Sequence, residues 1–95
     1  MALYDFLIIG GGIAGTTAAE SLRAKDRHAS IAILDAEPHP LYSKVLIPFY
    51  LKKKIKRDSL FLRQTSDYAA KMISLFPSTE VAKADYDRRE VATLN

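Results

Sequence analysis

The stretch YDFLIIGGGIAGTTAA, residues 4–19, carries glycines at 10, 11, 12 and 15, directly after one apolar run and directly before a helix-compatible one. The spacing Gly10-x-Gly12-x-x-Gly15, set between a strand and a helix, is the fingerprint of a dinucleotide-binding turn. Three of these glycines have a mechanical reason. Gly10 allows the sharp turn out of the strand, Gly12 offers a pyrophosphate backbone without a Cβ, and Gly15 lets the helix lie close to the strand. Phosphates over this turn would meet the N–H groups and the positive dipole end of the helix.

A second apolar run, IAIL at 31–34, ends at Asp35, twenty residues beyond Gly15, and Glu37 follows shortly. A carboxylate at that distance accepts hydrogen bonds from ribose hydroxyls, and Asp35 and Glu37 are both candidates. A βαβ unit of this length crosses over right-handed. The two strands are therefore expected to be adjacent and parallel, with the glycine turn and the acids on one sheet edge.

Composition removes several alternatives. Ninety-five residues suit one small domain, and 48% apolar with 26% charged residues is ordinary for a globular chain. A net charge of +3 gives no case for nucleic acid. No apolar run approaches the roughly 20 residues of a membrane span, and residues 6–9 are too few for a signal core. The expectation is no membrane association and a cytoplasmic location. With no cysteine, the chain has no disulfide, no thiolate metal site and no redox dithiol.

In order, residues 4–9 read as a buried parallel strand, since both faces are apolar. Residues 14–24 read as a helix, with Ala14, Ala18 and Leu22 recurring at four-residue spacing, Gly15 and Ala19 beside them, and Glu20 and Arg23 on the outer face. Residues 30–34 form the second strand. Pro38 and Pro40 keep the segment after it extended and non-helical. The apolar residues 45–51 are interrupted by Pro48, and a basic run covers 52–57. Asp58 and Ser59 fit the cap of a short turn. Thr65 or Ser66 fits the N-cap of a helix reaching about 72, with Asp67 in its first turn. Residues 73–76 read as a third strand closed by Pro77. Residues 80–86 and 90–94 read as a hairpin around 87–89.

These residues resemble the N-terminal, FAD-binding part of the pyridine nucleotide-disulfide oxidoreductases. YDFLIIGGGIAG looks like that family's FAD fingerprint, and EPHPLYSKVLIPFYL looks like the segment after the second strand in its rubredoxin-reductase, ferredoxin-reductase and nitrite-reductase branches. The resemblance implies an α/β fold: a partial Rossmann-like FAD/NAD(P)-binding domain, a parallel sheet with a βαβ unit plus a C-terminal β-hairpin. It implies that Gly10, Gly11, Gly12, Ile13, Ala14 and Gly15 hold the pyrophosphate. Ala36 and Glu37 would meet the adenosine ribose, with Asp35 a close competitor, and Lys44 would lie near flavin and pyrophosphate. FAD would be the cofactor, NAD(P)H the co-substrate of the full-length protein, and a small rubredoxin- or ferredoxin-like protein the acceptor. In that family the glutathione-reductase branch uses a cysteine pair in its early FAD segment, and the coenzyme A-disulfide and NADH-oxidase branch one cysteine near 42–44. This chain has no cysteine, and Tyr42, Ser43 and Lys44 stand at the latter, which indicates a non-thiol branch. Phe49 stands where ferredoxin reductases often carry lysine.

Such enzymes run to several hundred residues. In the doubly wound order 3-2-1-4-5-6 the first strand has a neighbour on both sides. A chain ending at 95 would leave its first strand as an apolar open edge. The expectation is therefore a fragment of a larger flavoprotein, inactive alone, that needs a C-terminal half or a second copy. The rival readings are a stand-alone nucleotide-binding module and a non-catalytic truncated fragment. His39 reads as solvent-facing or backbone-bonded rather than as a proton donor. Residues 52–57 read as a solvated loop or a docking site, and Tyr42 as a flavin neighbour or as core.

Overall fold

The computed structural model describes residues 3–43 and 47–94. A three-stranded parallel sheet in the order β1-β2-β3 is built from β1 (Phe6–Ile9), β2 (Ile31–Leu34) and β3 (Ile73–Phe76). Phe6 pairs with Ile31 and Ile9 with Leu34, while Ile31 pairs with Ile73 and Leu34 with Phe76. All three strands therefore end on one edge. Helix α1 (Ile13–Lys25) makes the crossover between β1 and β2. A hairpin of β4 (Val81–Asp85) and β5 (Glu90–Thr93) forms a separate two-stranded sheet. It is joined to the parallel sheet where Thr79 N–H donates to the Asp35 carbonyl at 2.7 Å.

The middle strand is buried along its whole length, as a run of Ile, Ala, Ile and Leu requires. The first strand is not. Phe6, Leu7 and Ile9 are 38%, 37% and 52% exposed, so the expectation of burial on both faces fails for β1. Position in the sheet explains this: β1 lies at the end of the order, with its outer edge unpaired among the described residues. It is the apolar open edge that the strand order requires. The helices cover one face of the sheet. Ile8, Ile31, Ile33, Ile73 and Leu75 pack there with Ala19 and Leu22 of α1 and with Tyr68 of α3 (Thr65–Ala70). On the other face Leu7, Ile9 and Phe76 stay partly exposed.

Three local features depart from the sequence reading. In helix α1 the expected inner face holds at Ala19, which is buried, and at Leu22, which packs on the core, but Ala14 and Ala18 are exposed and Thr16 is buried instead. The reason is the approach at Gly15, described below, which turns that side of the helix to the sheet. Glu20 and Arg23 do not face solvent alone. Glu20 accepts from Arg63 at 2.9 and 3.1 Å and from Lys71 at 3.0 Å, and Arg23 donates to the carbonyls of Lys71 and Met72. These bonds clasp α1 to the α3–β3 connection. The N-cap of α3 is Gln64: its carbonyl accepts from the Asp67 N–H at 2.9 Å, while the Asp67 carboxylate accepts from the Gln64 N–H at 2.7 Å. Pro48 lies in the first turn of a short helix α2 (Ile47–Leu51), where a missing N–H costs nothing. Residues 57–60 form one 3-10 turn.

The Glu20 cluster has a measurable consequence. Hydrogen bonding to Arg63 is the largest cause that lowers its carboxyl from 4.5 to about 2. A carboxylate depressed in the folded state stabilises above its unfolded pKa and loses that contribution as pH falls through the folded value. The support of Glu20 is therefore full above 4.5 and disappears toward pH 2. Lys71 is 49% and Arg63 33% exposed, and solvent screening limits the contribution to about 1–2 kcal/mol. Glu20→Gln should lower the melting temperature at pH 7 and flatten its decline between pH 4.5 and 2; parallel acid limbs for both proteins would exclude the cluster as the cause.

Candidate functional site

The glycine turn is held by backbone geometry. Gly10 has φ +103°, a conformation that side chains resist, and its N–H donates to the Leu34 carbonyl at 2.8 Å. This bond ties the turn to the end of β2. A Cβ on Gly15 would overlap the Gly10 carbonyl oxygen and lie 3.0 Å from its carbon and 3.2 Å from Ile8 Cγ2. The close approach of helix to strand is therefore literal. A Cβ on Gly11 would strike the Asp35 carboxylate, whose Cγ lies 2.8 Å from that point. The glycine turn and the acid after β2 are thus in contact, as the shared sheet edge requires. Gly12 differs: among the described residues nothing lies within 4 Å of the place its Cβ would take. It is the N-cap of α1 and opens onto empty space beside the helix N-terminus.

That space is a cleft of about 770 Å³ at the carboxyl edge of the parallel sheet. Residues 10–13 form one wall and residues 35–37 the corner beside it. Residues 40–43 and Leu62 close another side, and residues 79–81, entering the hairpin, close the last. Among the candidates, Gly10, Gly11, Gly12, Ile13, Asp35, Ala36 and Glu37 line the cleft. Ala14 and Gly15 are not in its lining; Gly15 acts from behind the turn by setting the helix position. Lys44 lies outside the described residues.

The two acids differ in environment. Asp35 is 9% exposed and accepts from the Glu37 N–H at 3.2 Å, closing a local turn beside Gly11. Glu37 is exposed and accepts from the Tyr42 hydroxyl at 3.2 Å. Desolvation first, then the Glu37 carboxylate, raises the Tyr42 phenol above its usual value. Tyr42 therefore belongs to the cleft wall and not to the core. His39 stands outside the cleft, edge-on to Phe61 at 5.8 Å, and the Arg57 guanidinium lies 5.2 Å over the same ring. Lys52, Lys53, Lys54, Lys56 and Arg57 are all exposed.

Sequence reasoning missed Thr79, Glu80, Val81 and Leu62 as wall residues. For 79–81 a signal existed: loops that follow parallel strands gather at their carboxyl edge, and these residues follow β3. Leu62 had none, since its place depends on the pairing of Tyr42 with Phe61 and on its N–H donating to the Leu41 carbonyl. Among the described residues no group of three potential metal ligands occurs, and no helix is long and apolar enough to cross a membrane.

A glycine turn feeding a helix N-terminus at the carboxyl edge of a parallel βαβ sheet defines a Rossmann-like nucleotide-binding fold. Residues 4–95 match the family model for pyridine nucleotide-disulphide oxidoreductases, and the chain belongs to that family. It is 36% identical over 88 residues to the putidaredoxin reductase CamA of Pseudomonas putida, covering 92% of this chain and 21% of that protein. It is 30% identical over 94 residues to the assimilatory nitrate reductase electron transfer subunit of Bacillus subtilis, covering 98% of this chain and 12% of the relative. The structure of a covalent putidaredoxin reductase–putidaredoxin complex matches with a TM-score of 0.83 at 32% identity, over 98% of this chain and 22% of that one. The chain thus spans about a fifth or less of the length of these relatives.

Proposed function

We propose that this chain is the part of an NAD(P)H-dependent flavoprotein oxidoreductase that holds FAD, the nicotinamide nucleotide serving as co-substrate of the whole protein. The observation that carries this reading is the meeting of the glycine turn and the 35–37 corner around one cleft, with room at Gly12 for a group pressed against the backbone. The donor set fits FAD. Residues 10–13 bring backbone N–H groups and the helix dipole to the pyrophosphate, while Ala14 and Gly15 fix the helix behind them. Glu37, more exposed than Asp35, takes the adenosine ribose, with Ala36 beside it. Asp35 positions the turn by packing on Gly11. Lys44 adds a cation to the phosphates. Residues 40–43 narrow the cleft and favour FAD over a bare nicotinamide nucleotide. When bound, FAD takes reducing equivalents from NAD(P)H and passes electrons on; the protein binds and orients it.

Titration of the purified chain with FAD, followed by flavin fluorescence with NADH in parallel, tests the reading. Saturable FAD binding with little NADH binding is the expected result. NADH binding alone would favour a stand-alone nucleotide-binding module. No binding by a well-folded chain would refute the cradle and leave a non-catalytic fragment. Turnover is not expected from the chain alone. The partly exposed face and, among the described residues, the unpaired edge of β1 fit further polypeptide or a second copy, and β1 amides as protected from exchange in the monomeric chain as those of β2 would count against that.

The acceptor is proposed to be a small acidic redox protein, rubredoxin- or ferredoxin-like. Support comes from the relatives' names and from the exposed basic run at 52–57. In the whole protein, reversing Lys52, Lys53 and Lys54 to glutamate should raise KM for such an acceptor by about tenfold at low salt and leave reduction of a small dye unchanged. Equal effects on protein and dye would rule out docking there.

A further inference from the structure

Behind the cleft runs a chain of buried hydrogen bonds. The Leu41 N–H lies 3.3 Å from the Tyr68 hydroxyl, that hydroxyl lies 3.0 Å from Thr16 Oγ1, and Thr16 Oγ1 lies 3.1 Å from the Gly11 carbonyl oxygen. Tyr68 is 3% exposed, Thr16 1% and Leu41 5%, so water does not share these bonds. Their direction is fixed by chemistry. The Gly11 carbonyl only accepts, so the single Thr16 proton goes there. Thr16 must then accept from Tyr68. With its proton committed, the Tyr68 oxygen accepts from the Leu41 N–H. Every group is satisfied in one orientation only.

The two ends of this relay belong to two different walls of the cleft. Leu41 belongs to the wall formed by 40–43, and Gly11 to the glycine turn. The carbonyl at the end of the relay shares its peptide unit with the N–H of Gly12. A hydrogen bond to the oxygen polarises that unit, and successive bonds in one direction reinforce one another. Resting on the FAD reading above, we infer that Tyr68 is a positioning residue: through Thr16 it fixes the spacing of the two walls and strengthens the Gly12 N–H as a donor to the anionic part of the ligand. Tyr68 touches no ligand itself. Its position in a short polar helix gives no hint of this, since the aromatic ring alone reads as core.

Four variants test it. Tyr68→Phe and Thr16→Val keep shape and remove one hydroxyl each. Thr16→Ser keeps the hydroxyl. Ile73→Val trims the core cluster that also holds Tyr68 but removes no hydrogen-bonding group of the relay. Tyr68→Phe and Thr16→Val should each weaken FAD binding about tenfold, and together no more than either alone, since they break one unit. Thr16→Ser should restore near-parental affinity, and Ile73→Val should lower the melting temperature without changing affinity. Additive losses, or a loss in Ile73→Val that matches its destabilisation, would reduce Tyr68 to a structural role and overturn the inference. Amide exchange gives a second readout that needs no ligand. In Tyr68→Phe the Leu41 amide should exchange at least about tenfold faster relative to Ile33, whereas an unchanged ratio would refute the relay. Should the parent chain fail to bind FAD, the cofactor reading falls, and the exchange ratio decides the relay by itself.

Discussion

Gly15→Ala should abolish the cooperative unfolding transition of this chain, or lower its melting temperature by about 15 °C or more. The added methyl has nowhere to go. Its place overlaps the Gly10 carbonyl oxygen and presses on Ile8 of β1. The obstacle is backbone, so no rotamer change relieves it. Relief requires moving α1 away from the sheet or reshaping the turn at Gly10, which already has φ +103° and a hydrogen bond to Leu34. Overpacking of one methyl in a close-packed site costs about 1–3 kcal/mol, and more when the neighbour cannot yield. A domain of this size holds about 5–14 kcal/mol in total. Thermal unfolding followed by circular dichroism checks this. A melting temperature within about 3 °C of the parent would show that the helix does not approach the strand as described.

The same contact explains what could be read from the sequence and what could not. Glycine spacing, apolar runs and the acid after the second run are local signals, and they located the turn, β2, β3 and the cleft corner. The inner face of α1 was read correctly at Gly15, Ala19 and Leu22, but Ala14 and Ala18 were misplaced and Thr16 was missed for a physical reason. Alanine, threonine and glycine differ little in hydropathy, so a small-residue helix carries almost no stripe. The buried side was chosen by backbone contact at Gly15, which then buried Thr16 and Ala19. The exposure of β1 has a different cause. Phe, Leu, Ile and Ile state that the strand is apolar on both faces, but only the sheet order decides whether a neighbour stands beside it. Gln64 as a cap was unreadable because glutamine is an uncommon N-cap; Asp67 reaching back to its N–H compensates. The wall made by 40–43, Leu62 and 79–81 comes from segments distant in sequence, and no periodicity within any one of them announces it.

Gly12 is the counterpart of Gly15, and Gly12→Val should separate binding from folding. Its backbone, at φ −70° and ψ −168°, suits any residue, and among the described residues no atom lies within 4 Å of the added Cβ. The chain should therefore fold. The cost is that of replacing a tolerated N-cap by a poor one, about 0.5–1 kcal/mol, or roughly 2–8 °C in melting temperature. Ligand binding should respond quite differently. If the FAD pyrophosphate sits against the Gly12 backbone, a branched side chain occupies its place and separates it from the helix N-terminal N–H groups. Affinity should fall at least about a hundredfold, which corresponds to about 2.8 kcal/mol. Gly12→Ala should fall between, since one methyl shifts the anion without excluding it. The decisive comparison is between the two glycines: loss of fold at Gly15, and loss of flavin from a folded chain at Gly12. Unchanged FAD affinity in a folded Gly12→Val chain would move the phosphates away from the turn and refute the assignment of residues 10–13 as their cradle. Loss of affinity with an unchanged circular dichroism spectrum would tie the open space at Gly12 to the ligand, because no atom of the described residues competes for it.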